Sequence, residues 1–108
     1  MPVTPEQIKI FMAAADAAIR KPYYAELDAK WQQHHGENYA APLRAEYGAK
    51  NARIVSETAG QPSVYCFVRL EDGAILKSAS WKTPAKGVRG WIHKGLAGLT
   101  PNGAAYAR

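Results

Sequence analysis

The sequence predicts an α+β domain in which N-terminal helices pack on a small three-stranded antiparallel sheet, with a basic loop after the last strand. Three observations lead to this prediction. Apolar side chains recur at helical spacing over the first third of the chain. Three runs rich in β-branched and aromatic residues follow, at 52–58, 63–70 and 74–81. A chain of 108 residues can bury one modest core, so we expect a single domain over residues 1–108.

The first helix is predicted to begin at a capping box. Thr4 is its expected N-cap, Pro5 suits the first helical position, and Gln7 lies three residues after Thr4. Side chains at helical spacing then form one apolar face, made of Ile8, Phe11, Met12, Ala15 and Ile19. Pro22 lacks a backbone donor and interrupts this pattern, so a second helix is expected to begin there.

The second helix is predicted to end at Gly36, a residue type that suits the left-handed position after a helix. Its apolar stripe consists of Tyr23 or Tyr24, Leu27, Trp31 and one of His34 and His35. We expect one of these histidines to pack against Trp31 and the other to be solvated. Residues 37–50, which contain Pro42 and Gly48, are expected to form a loop or a short helix.

The pair Asp72-Gly73 predicts a two-residue hairpin turn between the second and third strands. That register places Val68 opposite Lys77 and turns Tyr65 and Phe67 away from the helices. The side chains predicted to face the helices from the second strand are Val64, Cys66, Val68 and Leu70. Cys66 is therefore expected to be a buried hydrophobic residue, and Trp81, at a strand end, a core anchor.

Beyond the strands, the glycines and prolines of residues 82–90 predict a loop. A short turn is expected at residues 90–96, followed by a tail that packs through Leu99 and Tyr106.

The distribution of charge distinguishes the C-terminal third of the chain from the rest. Residues 1–72 hold eight Lys/Arg and nine Asp/Glu, a formal −1, whereas residues 73–108 hold six Lys/Arg and no acid, a formal +6. This segregation favours an anionic partner, such as nucleic acid or an acidic protein surface; a solvated lysine surface is the alternative.

The basic loop is the candidate binding site. Cations and free backbone N–H groups are the usual phosphate contacts, and the residues predicted to make them are Lys82, Lys86, Arg89 and Lys94. Aromatic rings can stack on unpaired bases, and the rings predicted to do so are Trp91, Tyr65 and Phe67. The alternative for Tyr65 and Phe67 is that they lie beneath the C-terminal segment as packing.

Catalytic, metal-binding and membrane roles find little support in the sequence. It contains no phosphate-binding glycine loop, HExxH or GxSxG motif, so we expect no enzyme and no cofactor. His34 and His35 are adjacent and point about 100 degrees apart on a helix, which does not favour one shared metal ion. No apolar run approaches 18 residues, so no membrane association is expected. Cys66 is the single cysteine, which excludes an intrachain disulfide.

Residues 63–90, SVYCFVRLEDGAILKSASWKTPAKGVRG, resemble a pattern that recurs in small uncharacterised proteins of tailed bacteriophages, [SV][VY]xCF[VI]DxxxGD[VI]xKxAxWKxPAKxxRGN. The matching positions are Val64, Cys66, Phe67, Gly73, Lys77, Ala79, Trp81, Lys82, Pro84, Ala85, Lys86, Arg89 and Gly90. Arg69 stands where an Asp is common, and Trp91 replaces the usual Asn. The resemblance implies a viral origin, in the host cytoplasm or the virion, and a helix-plus-hairpin domain. It implies no reaction.

The leading functional hypothesis is a non-enzymatic phage accessory protein that binds single-stranded or structured nucleic acid. The alternative is a virion structural or adaptor subunit, or an inhibitor of a host protein, that uses the same surface against an acidic protein. Oligomeric state is left open by the sequence.

Overall fold

A helical segment followed by an antiparallel sheet makes up the computed structural model, which describes residues 2–104. The helices are α1 (Pro5–Ala15), a π-helical turn (Asp16–Arg20) and α2 (Lys21–His35). The strands are β1 (Arg44–Tyr47), β2 (Asn51–Thr58), β3 (Gln61–Arg69), β4 (Ala74–Ser78), β5 (Pro84–Trp91), β6 (Leu99–Thr100) and β7 (Gly103–Ala104), with a 3-10 turn (Ile92–Lys94) after β5. The α+β class is therefore confirmed. Within residues 2–104, no helix combines the length and the apolar character needed to cross a membrane.

The helical segment begins where the sequence predicts. The Gln7 amide donates to Thr4 Oγ1 at 3.2 Å, and the Thr4 amide donates to Gln7 Oε1 at 2.9 Å, which completes the capping box. Pro22 does not break the segment. The π-helical turn carries α1 directly into α2, and Pro22 lies immediately after this turn, at the start of α2.

The end of α2 also agrees with the sequence. Gly36 follows it with a φ of 72°, and its amide donates to the Gln32 carbonyl at 2.9 Å. His35 stacks on Trp31 with ring centroids 4.0 Å apart, and both His34 and His35 are exposed. The predicted apolar stripe of α2 is only partly buried. Tyr24 is buried, whereas Leu27 is 45% exposed.

The sheet has five strands in the order β1-β2-β3-β4-β5, all antiparallel, so the prediction of three strands was wrong. β1 forms within the stretch expected to be a loop or short helix, and β5 forms within the stretch expected to be the basic loop. Pro84 is the first residue of β5, which is an edge strand, and a proline is tolerated at that position because no ladder bond is lost there. β6 and β7 form a separate two-stranded sheet.

The predicted register between β3 and β4 was wrong by two residues. Val68 pairs with Ile75 rather than with Lys77. The Gly73 amide donates to the Arg69 carbonyl at 2.8 Å, so the turn is longer than the expected two residues. Arg69 also donates from Nε and Nη2 to the Asp72 carboxylate at 3.0 and 2.7 Å, which holds the pKa of Asp72 below its usual range. A shift of two residues does not by itself move a side chain to the other face of the sheet.

The inner face of the sheet packs against α1. Its buried residues are Ala52, Ile54, Cys66, Val68 and Ile75, and α1 contributes Ile8, Phe11 and Ala15. The C-terminal segment completes this core with Leu96, Leu99 and Ala104. Leu99 therefore packs as predicted, whereas Tyr106 lies outside the described residues.

A bulge changes the direction of Tyr65. Ile54 pairs with Cys66 and Val55 pairs with Val64, which leaves Tyr65 as the extra residue of β3. Tyr65 is 2% exposed and belongs to the core beside Cys66. The strict alternation expected for β3 is therefore broken at this residue.

A buried ion pair joins the π-helical turn to the chain around β1 and β2. Arg20 is 2% exposed, and its Nη1 contacts Asp16 Oδ1. The remaining polar contacts of the pair are Arg20 Nη1 to the Ala41 carbonyl (2.9 Å), Arg20 Nη2 to Ser56 Oγ (3.0 Å) and the Leu43 amide to Asp16 Oδ2 (2.9 Å). The rings of Tyr24 and Tyr65 each lie 5.9 Å from the guanidinium carbon. These bonds fix the helical segment to the sheet at one place.

Cys66 is expected to be unreactive in the folded protein. Its side chain is fully buried on the inner face, and this burial raises the pKa of the thiol above its usual range, so little thiolate forms at neutral pH. We expect 5,5′-dithiobis(2-nitrobenzoate) at pH 8 to leave Cys66 unmodified in buffer and to modify it fully in urea. Rapid modification without urea would contradict the burial of this side chain.

Candidate nucleic-acid interface

The outer face of the sheet is the side opposite α1. Paired residues of neighbouring strands share a face, and one row of pairs crosses all five strands on this side: Glu46, Arg53, Phe67, Leu76 and Val88. Phe67 and Leu76 are only 3% and 6% exposed, although they point away from α1. Phe67 and Leu76 are therefore covered by other parts of the chain, and the turn between β4 and β5 provides part of this cover.

The β4–β5 turn folds back across the outer face. Ala79 and Ser80 donate their amides to the Thr83 carbonyl at 2.9 and 3.1 Å, and the Thr83 amide donates to Ser80 Oγ at 3.2 Å. The turn carries Trp81, whose carbonyl oxygen accepts from Arg53 Nη1 at 2.9 Å. Because Arg53 is on β2, two strands away from β4, the turn reaches over β3 to meet it.

Arg53 holds the Trp81 ring in place. Its guanidinium carbon lies 4.6 Å from the indole centroid, at a distance typical of a cation–π contact. Arg53 is itself fixed, because its Nε and Nη2 lie 3.0 and 2.8 Å from Glu46 Oε1. Trp81 remains 39% exposed. The expectation that Trp81 is a core anchor was therefore wrong: it is a partly exposed ring supported by a fixed guanidinium.

A pocket of about 240 Å³ lies beside this ring support on the outer face. Its walls are the β1–β2 turn with the residues that flank it, together with Arg53, Phe67 and Lys82. We call it the outer-face pocket, and its full lining is Glu46, Tyr47, Gly48, Ala49, Lys50, Asn51, Arg53, Phe67 and Lys82. Three of these side chains are cations and one is a carboxylate, so the lining carries a formal charge of +2. Positive charge and an exposed indole thus meet at one end of the β4–β5 hairpin.

The cations predicted to share one loop are instead divided between two ends of β5. Lys82 precedes the strand and Lys86 is exposed near its start, where Pro84 pairs with Ser78. Trp91 ends the strand and pairs with Ala74, and Lys94 follows it. An eight-residue strand rises by about 3.3 Å per residue, so Lys82 and Lys94 are separated by roughly 20 Å along β5. The single cluster expected from the sequence does not form.

The far end of β5 is a second, smaller group. Lys94 Nζ lies 5.9 Å from the Trp91 ring centroid, and the His93 ring lies 6.0 Å from it. Trp91 is half-buried. Arg89 is the extra residue of a bulge between β4 and β5 and is half-buried as well. Lys94, Trp91 and Arg89 are therefore not neighbours of the outer-face pocket.

The stacking role expected of Tyr65 and Phe67 was wrong, because neither ring is accessible. The Tyr65 hydroxyl donates to the Thr100 carbonyl at 2.7 Å, and burial raises the pKa of this phenol above its usual range. Tyr65 thus lies beneath the C-terminal segment, which is the alternative that the sequence left open. Phe67 is 3% exposed and contributes to the wall of the outer-face pocket.

Sequence reasoning missed Lys50 and Arg53, which reach the outer face from the β1–β2 hairpin. A signal for Arg53 was present, because it alternates with the buried residues Ala52 and Ile54 along β2. Lys50 lies in the β1–β2 turn, and β1 was not predicted. Across residues 2–104, no three His, Cys, Asp or Glu side chains are grouped as metal ligands.

These features define a class: an α+β domain with one face of its antiparallel sheet packed on a helix and the other carrying a cationic, aromatic surface. The chain belongs to a family of unknown function, DUF7717, whose model matches residues 5–98. No curated protein and no solved structure matches the chain.

Proposed function

We propose that this protein binds nucleic acid through the residues around the β4–β5 turn and the neighbouring outer-face pocket, and does so without catalysing a reaction. We call this region the Trp81 surface, and it consists of Lys50, Arg53, Trp81, Lys82 and Lys86. The observation that carries the proposal is the Trp81 ring, held against Arg53 at 4.6 Å and 39% exposed beside a pocket lined by cations.

The chemistry of the Trp81 surface suits an anionic polymer with planar bases. Lysine side chains neutralise phosphates, and the release of their counterions drives binding. An indole offers a face on which bases of any sequence can stack. Because Arg53 and Glu46 already fix the ring, less side-chain entropy is lost when a ligand binds. The surface therefore combines affinity for phosphate with affinity for bases.

The resemblance to tailed-phage proteins supports the same surface. Its pattern includes Trp81, Lys82 and Lys86, as well as the strand that precedes them. We therefore propose a phage accessory protein that acts in the host cytoplasm or in the virion. A virion or adaptor subunit that binds an acidic protein remains the competing hypothesis, and the experiment below distinguishes the two.

Replacing Lys50, Lys82 and Lys86 together with alanine is expected to weaken binding and to flatten its salt dependence. Three phosphate contacts on a single strand give a slope of log affinity against log salt of about −2, which is about a 20-fold loss between 50 and 200 mM. Fluorescence polarisation with a labelled 20-nucleotide single strand at both salt concentrations measures this slope. The triple variant should have a slope close to zero.

The matched control removes three other lysines, Lys9, Lys21 and Lys30, which are exposed on the helices. It lowers the net charge equally but leaves the Trp81 surface intact, so it should bind as the unaltered protein does. Equal losses of affinity in the two variants would show that binding depends on net charge and not on the Trp81 surface. No binding of single-stranded DNA, duplex DNA or RNA at 50 mM salt would overturn the proposal and favour an acidic protein partner.

A further inference from the structure

The outer-face pocket gives the proposed function a more specific ligand. We propose that this pocket receives one unpaired nucleobase, so that the protein selects single strands over duplexes. The inference rests on the proposed function, because it assigns a ligand class to the same surface. It is carried by the size of the pocket, the chemistry of its walls and its place beside Trp81.

The size of the pocket matches one base. Its volume of about 240 Å³ is room for about eight water molecules at about 30 Å³ each, and a nucleobase, with about ten non-hydrogen atoms, is of comparable bulk. A base pair is about twice as large. In a duplex each base is also stacked between its neighbours, so it cannot enter a protein pocket unless it is flipped out of the helix.

The walls of the pocket suit a base joined to phosphates. Phe67, at 3% exposed, touches the pocket with only a small part of its ring, and Tyr47 at the end of β1 also lines it. Lys50 and Lys82 also line the pocket, so an ammonium group is available to the phosphate of a nucleotide whose base is bound. Asn51 and Glu46 offer polar atoms to the edge of a base, as amide and carboxylate groups do in nucleic-acid complexes. Cationic and polar groups are thus collected in one concavity.

Trp81 provides a neighbouring position for a second base. Its carbonyl is bonded to Arg53, and Arg53 and the adjacent Lys82 both line the pocket. A single strand can therefore place one base in the pocket and stack the next on the indole. A duplex can do neither and retains only phosphate contacts. Each stacked base strengthens binding by about tenfold, so we expect a single strand to bind at least about tenfold more tightly than a duplex of equal length.

The test compares a labelled 20-nucleotide single strand with its duplex, using the unaltered protein and the variant Ala49→Trp. Ala49 is exposed and lines the pocket, so an indole at this position obstructs the cavity. We expect Ala49→Trp to lose about tenfold in single-strand affinity and less in duplex affinity. The control Ala29→Trp adds the same ring at an exposed position of α2 and should change neither.

A crosslinking measurement locates the base without relying on that variant. A single strand containing 4-thiothymidine, irradiated in the complex and digested with trypsin, should give adducts in residues 45–50, which contribute the β1–β2 turn to the pocket lining. Adducts confined to the helices would overturn the inference. Equal affinity for single strand and duplex, with a steep salt slope, would overturn it and leave the proposed function standing. Absence of binding to either would overturn both.

Discussion

Replacing Arg20 with alanine is expected to lower the free energy of unfolding by about 3–5 kcal/mol, because it leaves the Asp16 carboxylate charged and buried without its partner. The substitution also leaves the Ala41 carbonyl and Ser56 Oγ without a donor from Arg20. A loss of this size is a large part of the 5–15 kcal/mol by which a typical domain is stable. Urea unfolding followed by circular dichroism measures it.

Two comparisons make the interpretation specific. Arg44→Ala removes a partner of an exposed ion pair, in which Arg44 Nη1 lies 3.2 Å from Glu57 Oε1, and should cost less than about 1 kcal/mol. The double variant Asp16→Asn/Arg20→Met removes both buried charges, while the Asn oxygen can still accept from the Leu43 amide. It should be more stable than Arg20→Ala. If Arg20→Ala and Arg44→Ala cost the same, the buried pair does not hold the helical segment to the sheet.

Gly98→Ala is the second substitution expected to be strongly destabilising. A Cβ on Gly98 would lie 2.5 Å from the Arg89 carbonyl oxygen, and the residue has a φ of +86°, in a region that side chains disfavour. The backbone of β5 and the segment that leads into β6 must then move apart, which loosens the C-terminal cover of the core. Thermal unfolding and urea titration measure the loss.

Gly95 offers the matched control three residues earlier. Its φ is +95°, but a Cβ there would meet no atom within 4 Å. Gly95→Ala therefore tests backbone strain alone, which costs about 1–3 kcal/mol. The close approach at Gly98 adds the cost of overpacking, so Gly98→Ala should exceed Gly95→Ala by about 1–3 kcal/mol. Equal losses would show that β5 and residue 98 are not in contact in solution.

Local rules of sequence identified the helix ends and the central strands. The Thr4 and Gln7 capping box and the Gly36 stop depend on residues three or four apart, and the structure contains both. β2 and β3 were found from their β-branched and aromatic content. The burial of Cys66 followed from its alternation with Val68. Each of these predictions needed only short-range chemistry.

Features that depend on distant partners were missed. Pro84, Gly87 and Gly90 indicate a loop locally, but pairing with β4 makes this stretch a strand, and bulges absorb its extra residues. The predicted hairpin register was wrong because the Gly73 amide donates to the Arg69 carbonyl, which gives a longer turn than the two-residue turn expected at Asp72 and Gly73. A bulge at Tyr65 likewise turned a predicted surface ring into the core. Bulges leave no reliable trace in a single sequence.

The same limit applies to the candidate site. Its lysines after β4 were recognisable from charge, but Arg53 and Lys50 come from the β1–β2 hairpin and are brought in by the sheet. The support of Trp81 by Arg53 joins residues 28 positions apart in the chain. Periodicity can show that Arg53 leaves the core face. It cannot show which ring the guanidinium will meet.

The closing of the core by the C-terminal segment has a consequence for synthesis. Tyr65 bonds to Thr100, Tyr24 bonds to Asn102, and Ala104 packs with the first helix's partners on the sheet. Contacts between such distant parts of a chain form late in folding. We therefore expect the inner face of the sheet to lack this cover until residue 104 has emerged from the ribosome.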